Sequence, residues 1–582
     1  MKFKKINPLV VSLAILALSL VFMFGFCTNW GNVRVSRNTM LSENGHEYSY
    51  VSFVQKSSSD ENPGPAVVLY HGNNESAQAF GSWAVEIIRR GYNVFMLDLP
   101  GSGFSDPEFS DDYKIATEFI KYVQNLPFID YDKVLSAGHS KGASFTGYMV
   151  DQTDIAGGVA VSGMRFQKTW GDTFEGNMIT IIGEGDWMNR LYDMQPMNQK
   201  FMQKVYGTDG SLPEFGKEYG SVEDRNFRIL YSFDGLFAQH CAARWSPRVI
   251  GMVCDSLMKI VPTGSDLTGK NLVIGWHYFF SLTAMLSLVS SILCIIIALS
   301  KLPFFKSSMQ EMRPCIGRTG RRWWKSALLS AIPTVPIFIL INYIAVQYLH
   351  MDKATKLFPV ATTNRFIPFY LILGLFEIFL FSFTFYRKEK YTLSECGLIW
   401  QSSASENWKN IGKTALLASL GAGLGLTFLY IMEVGFGMTF QALFVQMRGV
   451  SLNRVMKCLL YLPIFLVLFT GMNLGGNISR RLKSTGHEYR DMARDIVVNC
   501  LVGNLLLSIY FFINMWCNDH SLFWDVVDSV GHTYYLYNFM LLGNVAGAAN
   551  TVLYRKTGTI WTGVFFCTFF LGVIIPGLSP II

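Results

Sequence analysis

The sequence is poor in charge and lacks any ordered cysteine chemistry. Charged residues fill only 16% of 582 positions while apolar ones fill half, a balance foreign to a wholly soluble chain. The ten cysteines form no C-x-x-C pair and no Cys/His spacing suited to zinc. Equally missing are an H-E-x-x-H helix, a paired-glutamate helix and a phosphate-binding glycine loop. Cys294, Cys500 and Cys567 fall inside apolar runs, where a thiol serves as a small hydrophobe. Cys241 and Cys254 share the one globular stretch; free thiols are the expectation, with a disulfide as the alternative on an oxidising face. The net charge of +7 sits beside the apolar runs rather than in a patch, so it reports membrane orientation and no nucleic-acid partner.

What is present divides the chain into unlike regions. Residues 1–30 hold Lys2, Lys4 and Lys5 ahead of an apolar run from Pro8 to Cys27. The run is long for a signal sequence and no A-x-A site follows it. Phe26, before Cys27, occupies the place where a lipoprotein site needs a small residue. An uncleaved anchor with its lysines in the cytoplasm is expected, which puts the next region outside. Residues 31–265 have ordinary globular composition, and residues 266–582 are apolar runs joined by short polar loops.

In the globular region strands and helices alternate. Strands are expected at Tyr48 to Val54, Ala66 to Tyr70, Asn93 to Leu97, Val134 to Ala137, Gly158 to Ser162, Met178 to Ile182 and Phe227 to Ser232. Helices fit Ala77 to Arg90, Asp112 to Gln124, Ala143 to Val150, Met194 to Val205 and Pro247 to Ile260. Such alternation implies a doubly wound, mostly parallel α/β sheet with its functional residues at the carboxyl ends of strands. At the centre stands Gly138-His139-Ser140-Lys141-Gly142, a G-x-S-x-G sequence between a strand and a small-residue helix. That context holds a serine on a sharp turn with its hydroxyl exposed.

These residues resemble the α/β-hydrolase superfamily over about 230 positions. The resemblance rests on His71-Gly72 after a strand, the Asp98-Leu99-Pro100-Gly101-Ser102-Gly103-Phe104-Ser105 loop, the serine turn, Gly183-Glu184-Gly185-Asp186 and a late His240. It implies a serine hydrolase, with the order serine, acid, histidine. A serine hydroxyl needs a base, and the base needs an orienting carboxylate. After the turn His240 is the only histidine of the globular region, since His277 lies in an apolar run, so His240 is the expected base. His71 and His139 take structural roles by the resemblance. Asp186 matches the place of the family's acid, with Glu184 and Asp193 as competitors. Backbone N–H groups of Lys141 and of Asn73 or Asn74 should form the oxyanion hole. The Lys141 side chain either favours anionic substrates or points to solvent. Between acid and base, Trp187, Met188, Leu191, Tyr192, Met194, Met197, Phe201 and Met202 form either a helix packed on the sheet or a cap over an acyl pocket. The expected reaction cleaves an acyl ester, including esters of bilayer lipids, without metal or organic cofactor; a ligand-binding domain on a transporter or sensor is the rival.

Apolar spans follow at Val273 to Leu299, Ala327 to Tyr348, Phe366 to Tyr386, Ala415 to Met432, Leu459 to Leu474, Ile496 to Trp516, Thr533 to Leu553 and Thr559 to Ile575. With the anchor that makes about nine helices. Basic residues alternate with them. Lys301 to Lys325 (with Arg313 and Arg318), Arg387 to Lys413, Arg480 to Arg494 and Arg555-Lys556 fall on one side. The opposite loops are poorer, and Cys517 to Gly531 carries only Asp519, Asp525 and Asp528. Glu377, in mid-span, is either functional or paired with a polar group of a neighbouring helix. Asn499, Asn504, Asn538, Asn544 and Asn550 read as interhelical hydrogen-bonding groups, and Gly421, Gly423, Gly425, Gly543 and Gly547 as close-packing positions. The stretch from Leu553 to Phe570 resembles the last part of the bacterial CAAX-protease-like membrane family, but that family's paired glutamates and catalytic histidines are missing, so its activity does not carry over.

Overall fold

A computed structural model describes residues 7–106, 111–163, 174–186, 188–312, 317–438, 440–443, 445–516 and 535–581. Lys2, Lys4, Lys5, Trp187, Arg313, the Cys517–Gly531 loop with its three aspartates, Thr533 and the side chain of Asn538 lie outside the described residues.

An eight-stranded sheet runs β1 (Val33–Leu41), β2 (Glu47–Gln55), β4 (Asn93–Leu97), β3 (Gly64–Tyr70), β5 (Ile129–His139), β6 (Gly157–Val161), β7 (Asn177–Gly183), β8 (Arg228–Phe233). Only the β1–β2 and β2–β4 pairings are antiparallel. The central strands are buried on both faces, which is why they read as unbroken apolar runs. β1 escapes such a reading because its exposed Arg34 and Ser36 leave it no apolar stretch.

The chain leaves β3 toward β4 on one side and returns to β5 on the other, so the strand order reverses at β3. The helix after β3, α2 (Gly81–Ile88), packs on one face of the sheet together with α6 (Pro247–Ile260). α3 (Asp112–Gln124) and α4 (Lys141–Gln152) pack on the opposite face. Loops that diverge in this way open a crevice at the strand ends, the usual site position in such sheets. The segment around the short α5 (Pro196–Phe201) puts Leu191, Phe201 and Met202 into the α3/α4-side core, while Tyr192 and Met197 are exposed. This is the packing alternative for that segment.

On the α2/α6 face the apolar core continues without a break into the long helices. α1 (Pro8–Cys27) lies along the helix Ile274–Leu299, with Phe22 stacked on Phe280 at 4.3 Å and Ser19 bonded to Thr283 at 2.8 Å. Glu86 of α2 accepts the backbone N–H groups of Val273 and Ile274 at 2.6 and 2.8 Å. Its carboxylate thereby caps the start of that helix, where unsatisfied donors and the positive end of the dipole favour an anion.

Among the described residues seven helices are long and apolar enough to cross a membrane, or eight if the bent pair Glu488–Val502 and Asn504–Tyr510 is one span. The expected ninth is present as a helix, Tyr535–Thr557, but Asn544, Asn550, Arg555 and Lys556 leave it too polar to qualify. Loops assigned to one side by charge do lie together: Arg318 pairs with Glu389 at 2.6 Å, Gln310 donates to the Thr557 carbonyl, and Arg555 pairs with Glu488 at 2.8 Å.

Candidate active site

Ser140 occupies the turn between β5 and α4 with φ 57° and ψ −117°. A non-glycine residue held there is strained, and the surroundings impose it. Its N–H donates to the Val161 carbonyl at 3.0 Å, and the flanking glycines admit no side chain. A Cβ on Gly142 would overlap the Tyr70 carbonyl, and one on Gly138 would overlap the Gly142 carbonyl. The tightness that excludes a Cβ is what turns the serine outward.

The turn brings Ser140, His240 and Asp186 together from three strand ends. His240 Nδ1 lies 3.0 and 3.1 Å from the two Asp186 carboxylate oxygens, and its Nε2 lies 2.8 Å from Ser140 Oγ. A carboxylate only accepts, so Nδ1 carries the proton and Nε2 is left to accept from the serine hydroxyl. Asp186 also accepts the N–H groups of Met188 and Asn189 and the Asn189 amide at 2.7 Å. Burial pushes its carboxyl up, but the His240 ring and the Asn189 donors outweigh burial and hold it below the usual range. Both His240 and Asp186 are buried, whereas Ser140 is partly open. The competitors stand elsewhere: Asp193 pairs with Arg190, and Glu184 is exposed.

Around this cluster the two other histidines are built in. His139 Nε2 donates to the His240 carbonyl at 2.6 Å, and burial with the adjacent His240 lowers its pKa to about 3. His71 Nε2 accepts from the Leu99 N–H at 3.1 Å while Nδ1 donates to the Gly72 carbonyl, and burial lowers its pKa to about 4. His71 therefore ties the loop after β3 to the loop after β4 in its neutral form.

Lys141 stands at the first position of α4, where helix geometry leaves its N–H without an intrahelical acceptor. Its ammonium pairs with Asp112 and lies over the Phe145 ring at 5.6 Å. The Lys141 side chain stays partly exposed to solvent and is held by Asp112. Asn74 has φ 59°, and the loop around it is anchored by Glu75, which accepts the Gly72 N–H and pairs with Arg244. Cys241 and Cys254 are both free.

In the membrane half, Glu377 pairs with Arg480 at 2.9 Å and with the Ser330 hydroxyl, which is the paired alternative for that acid. It lines a small cavity of about 30 Å³ with Thr334, Asn477, Arg480, Asn499 and Asn550. Asn499 bonds Thr551 at 2.8 Å and Asn504 bonds Asn544 at 2.8 Å, both across helices. Gly421 and Gly425 face Ile296 and Ile292 closely, but Gly423 faces open space and packs nothing. Among the described residues no group of three or more His, Cys, Asp or Glu is placed to hold a metal ion.

Several residues around the site carry no signal in the sequence read locally. Asn189, Glu75, Arg244, Arg37, Glu433 and Arg448 all engage partners distant in the chain or sit in loops of ordinary polarity. The one available hint is Asp98, a carboxylate directly after an apolar strand, which must find partners once buried.

Residues 65–192 match the family described as alpha/beta hydrolase fold. Similar solved structures include an alpha/beta hydrolase from Penicillium sp. sh18 at 18% identity, covering 22% of this chain and 46% of that one with TM-score 0.20. An esterase of Pyrococcus furiosus is similar at 15% identity over 36% of this chain and 82% of that one, TM-score 0.26. The thioesterase domain from the curacin biosynthetic pathway is similar at 12% identity over 36% and 94%, TM-score 0.25. The chain spans less than half the length of the first of these structures. No curated protein matches the sequence.

Proposed function

We propose that this α/β-hydrolase-bearing membrane protein is a serine hydrolase that cleaves acyl esters on the extracytoplasmic face of the cell membrane. The observation that carries the proposal is the unbroken hydrogen-bond chain from Asp186 through His240 to Ser140 Oγ, with the tautomer that leaves Nε2 free to take a proton. Ser140 Oγ adds to the acyl carbon as its proton passes to His240 Nε2. The resulting oxyanion is met by backbone N–H groups of Lys141 and of Asn73 or Asn74. His240 then returns the proton to the leaving alcohol as the C–O bond breaks, leaving an acyl group on Ser140. Water, deprotonated by the same nitrogen, releases the acid and restores the serine. Asp186 stays ionised throughout and stabilises the imidazolium.

Esters presented by the bilayer suit an enzyme whose core is continuous with membrane helices. The charge alternation of the loops supports the extracytoplasmic placement. Labelling of isolated membranes with an alkyl fluorophosphonate tests the reading. The native chain should label covalently, and Ser140→Ala and His240→Ala should not. A folded native chain that stays unlabelled would sink the hydrolase reading.

A further inference from the structure

Two loops that frame Ser140 are held by residues of the membrane half. Arg448 follows the short hairpin Phe440–Ala442 and Val445–Met447, beyond the helix Ala404–Phe436. Its side chain is fully buried. One guanidinium nitrogen donates to Ser76 Oγ and the other to the Gly577 carbonyl at 2.9 Å. Ser76 belongs to the loop that carries Asn73 and Asn74. It precedes the helical turn Ala77–Phe80 but makes no side-chain cap there, its hydroxyl facing Arg448 instead.

The neighbouring loop after β4 is held in the same way. Arg454 bridges the carbonyls of Gly101 and Ser579, and the Ile581 N–H also reaches the Gly101 carbonyl at 2.8 Å. Asp98 joins the two loops, since it accepts the Ala77 N–H at 2.8 Å and the Phe104 N–H at 3.1 Å. Arg37 connects Asp98 at 2.7 Å to Glu433 of the membrane half at 2.8 Å. Three arginines, Arg37, Arg448 and Arg454, thus surround two carboxylates in a buried cluster that spans the junction. Burial lowers the Arg448 pKa, with Glu433 and Asp98 opposing it.

We infer that Arg448 is a positioning residue for the hydrolase site: through Ser76 it fixes the loop whose N–H completes the oxyanion hole, so the membrane half is part of the catalytic apparatus and not only its anchor. The inference rests on the serine-hydrolase reading. A guanidinium suits this role because it offers donors in a fixed fork that two acceptors on different segments can share. An oxyanion donor acts only where its N–H meets the developing charge, so a small loop displacement weakens the transition state more than the ground state.

The test uses the full chain in detergent micelles, an alkyl fluorophosphonate and p-nitrophenyl acetate, and the variants Ser76→Ala, Arg448→Met and Arg448→Lys. Rate and endpoint of labelling are recorded separately, together with the melting temperature. The expected result is a native endpoint reached about tenfold more slowly in Ser76→Ala and Arg448→Met, within the roughly 10²–10³ that loss of a whole oxyanion donor causes. Ester turnover should fall in kcat with KM within about twofold, and Arg448→Lys should recover part of the rate because it keeps charge and donors. A lowered endpoint at native rate would mean that Arg448 only supports folding, and overturns the inference. Native rates in all variants overturn it as well. A native chain that never labels removes the hydrolase reading itself and this inference with it.

Discussion

Asp186 orients one ring while being oriented by its own loop. Because it accepts from Asn189 and Met188 as well as His240, its carboxylate is fixed independently of the imidazole. Asp186→Asn should leave the fold and melting temperature near native but place a donor opposite Nδ1, favouring the wrong tautomer. The expected loss in kcat toward a p-nitrophenyl ester is about 10³–10⁴, with substrate binding little changed. His71 and His139 set a different dependence. Their pKa values, about 4 and about 3, lie below the usual 6.5, so the unfolded chain binds more protons than the folded one between those limits. Stability should therefore be flat above about pH 6.5 and fall as the pH drops from there toward 4. Asp186 and Asp98, both held below the usual range, stay ionised in the folded chain, and as the unfolded chain's aspartates begin to protonate below about pH 5 they add to the same fall. Melting curves between pH 8 and 4.5 check this; a melting temperature that rises on acidification contradicts it.

At the scale of elements, the junction depends on Glu86. It is fully buried, pairs with Arg89 at 2.7 Å and Arg90 at 3.2 Å, and caps the helix Ile274–Leu299. Glu86→Leu would remove the carboxylate paired with Arg89 and Arg90, leaving them only backbone acceptors, and would unmask two backbone donors; it should cost about 3–5 kcal/mol of stability, as removal of one partner from a buried ion pair does. Thermal unfolding in micelles measures it, and a change below about 1 kcal/mol would show that the cap is dispensable. The elements around the serine are legible in the sequence because each is local: Gly138 to Gly142 is one turn, Asp186 follows one strand, and His240 lies between the last strand and α6. β1 is not legible, because an edge strand with one wet face has no continuous apolar run. The helix Tyr535–Thr557 is legible as a helix but overrated as apolar, since its Asn544 and Asn550 are matched by Asn504 and Cys567 of other helices.

Across the whole molecule, charge pairing is what the sequence hides. Arg37 stands in a strand near one end and Glu433 at the far end of a membrane helix, and no periodicity links positions so distant. The pair cannot be valued as ordinary stabilisation, because desolvating both ions offsets most of their attraction. It specifies instead how the sheet sits on the helices. Arg37→Met and Glu433→Leu should each destabilise by about 3–5 kcal/mol, whereas the double variant should be less destabilised than the sum by at least about 1 kcal/mol. Additive losses in that double-mutant cycle would show that the two side chains do not interact.

The contact between Ile581 and Gly101 has a bearing on biosynthesis. The ribosome adds residues at about 5–20 per second, so Ser140 emerges tens of seconds before the segment that closes on the Gly101 loop. A nascent chain already exposed to lipid thus carries its nucleophile without the last brace beside it. On the serine-hydrolase reading, the site would be complete only once the segment around Ile581 has docked on the Gly101 loop, and chains truncated before it would hydrolyse esters poorly.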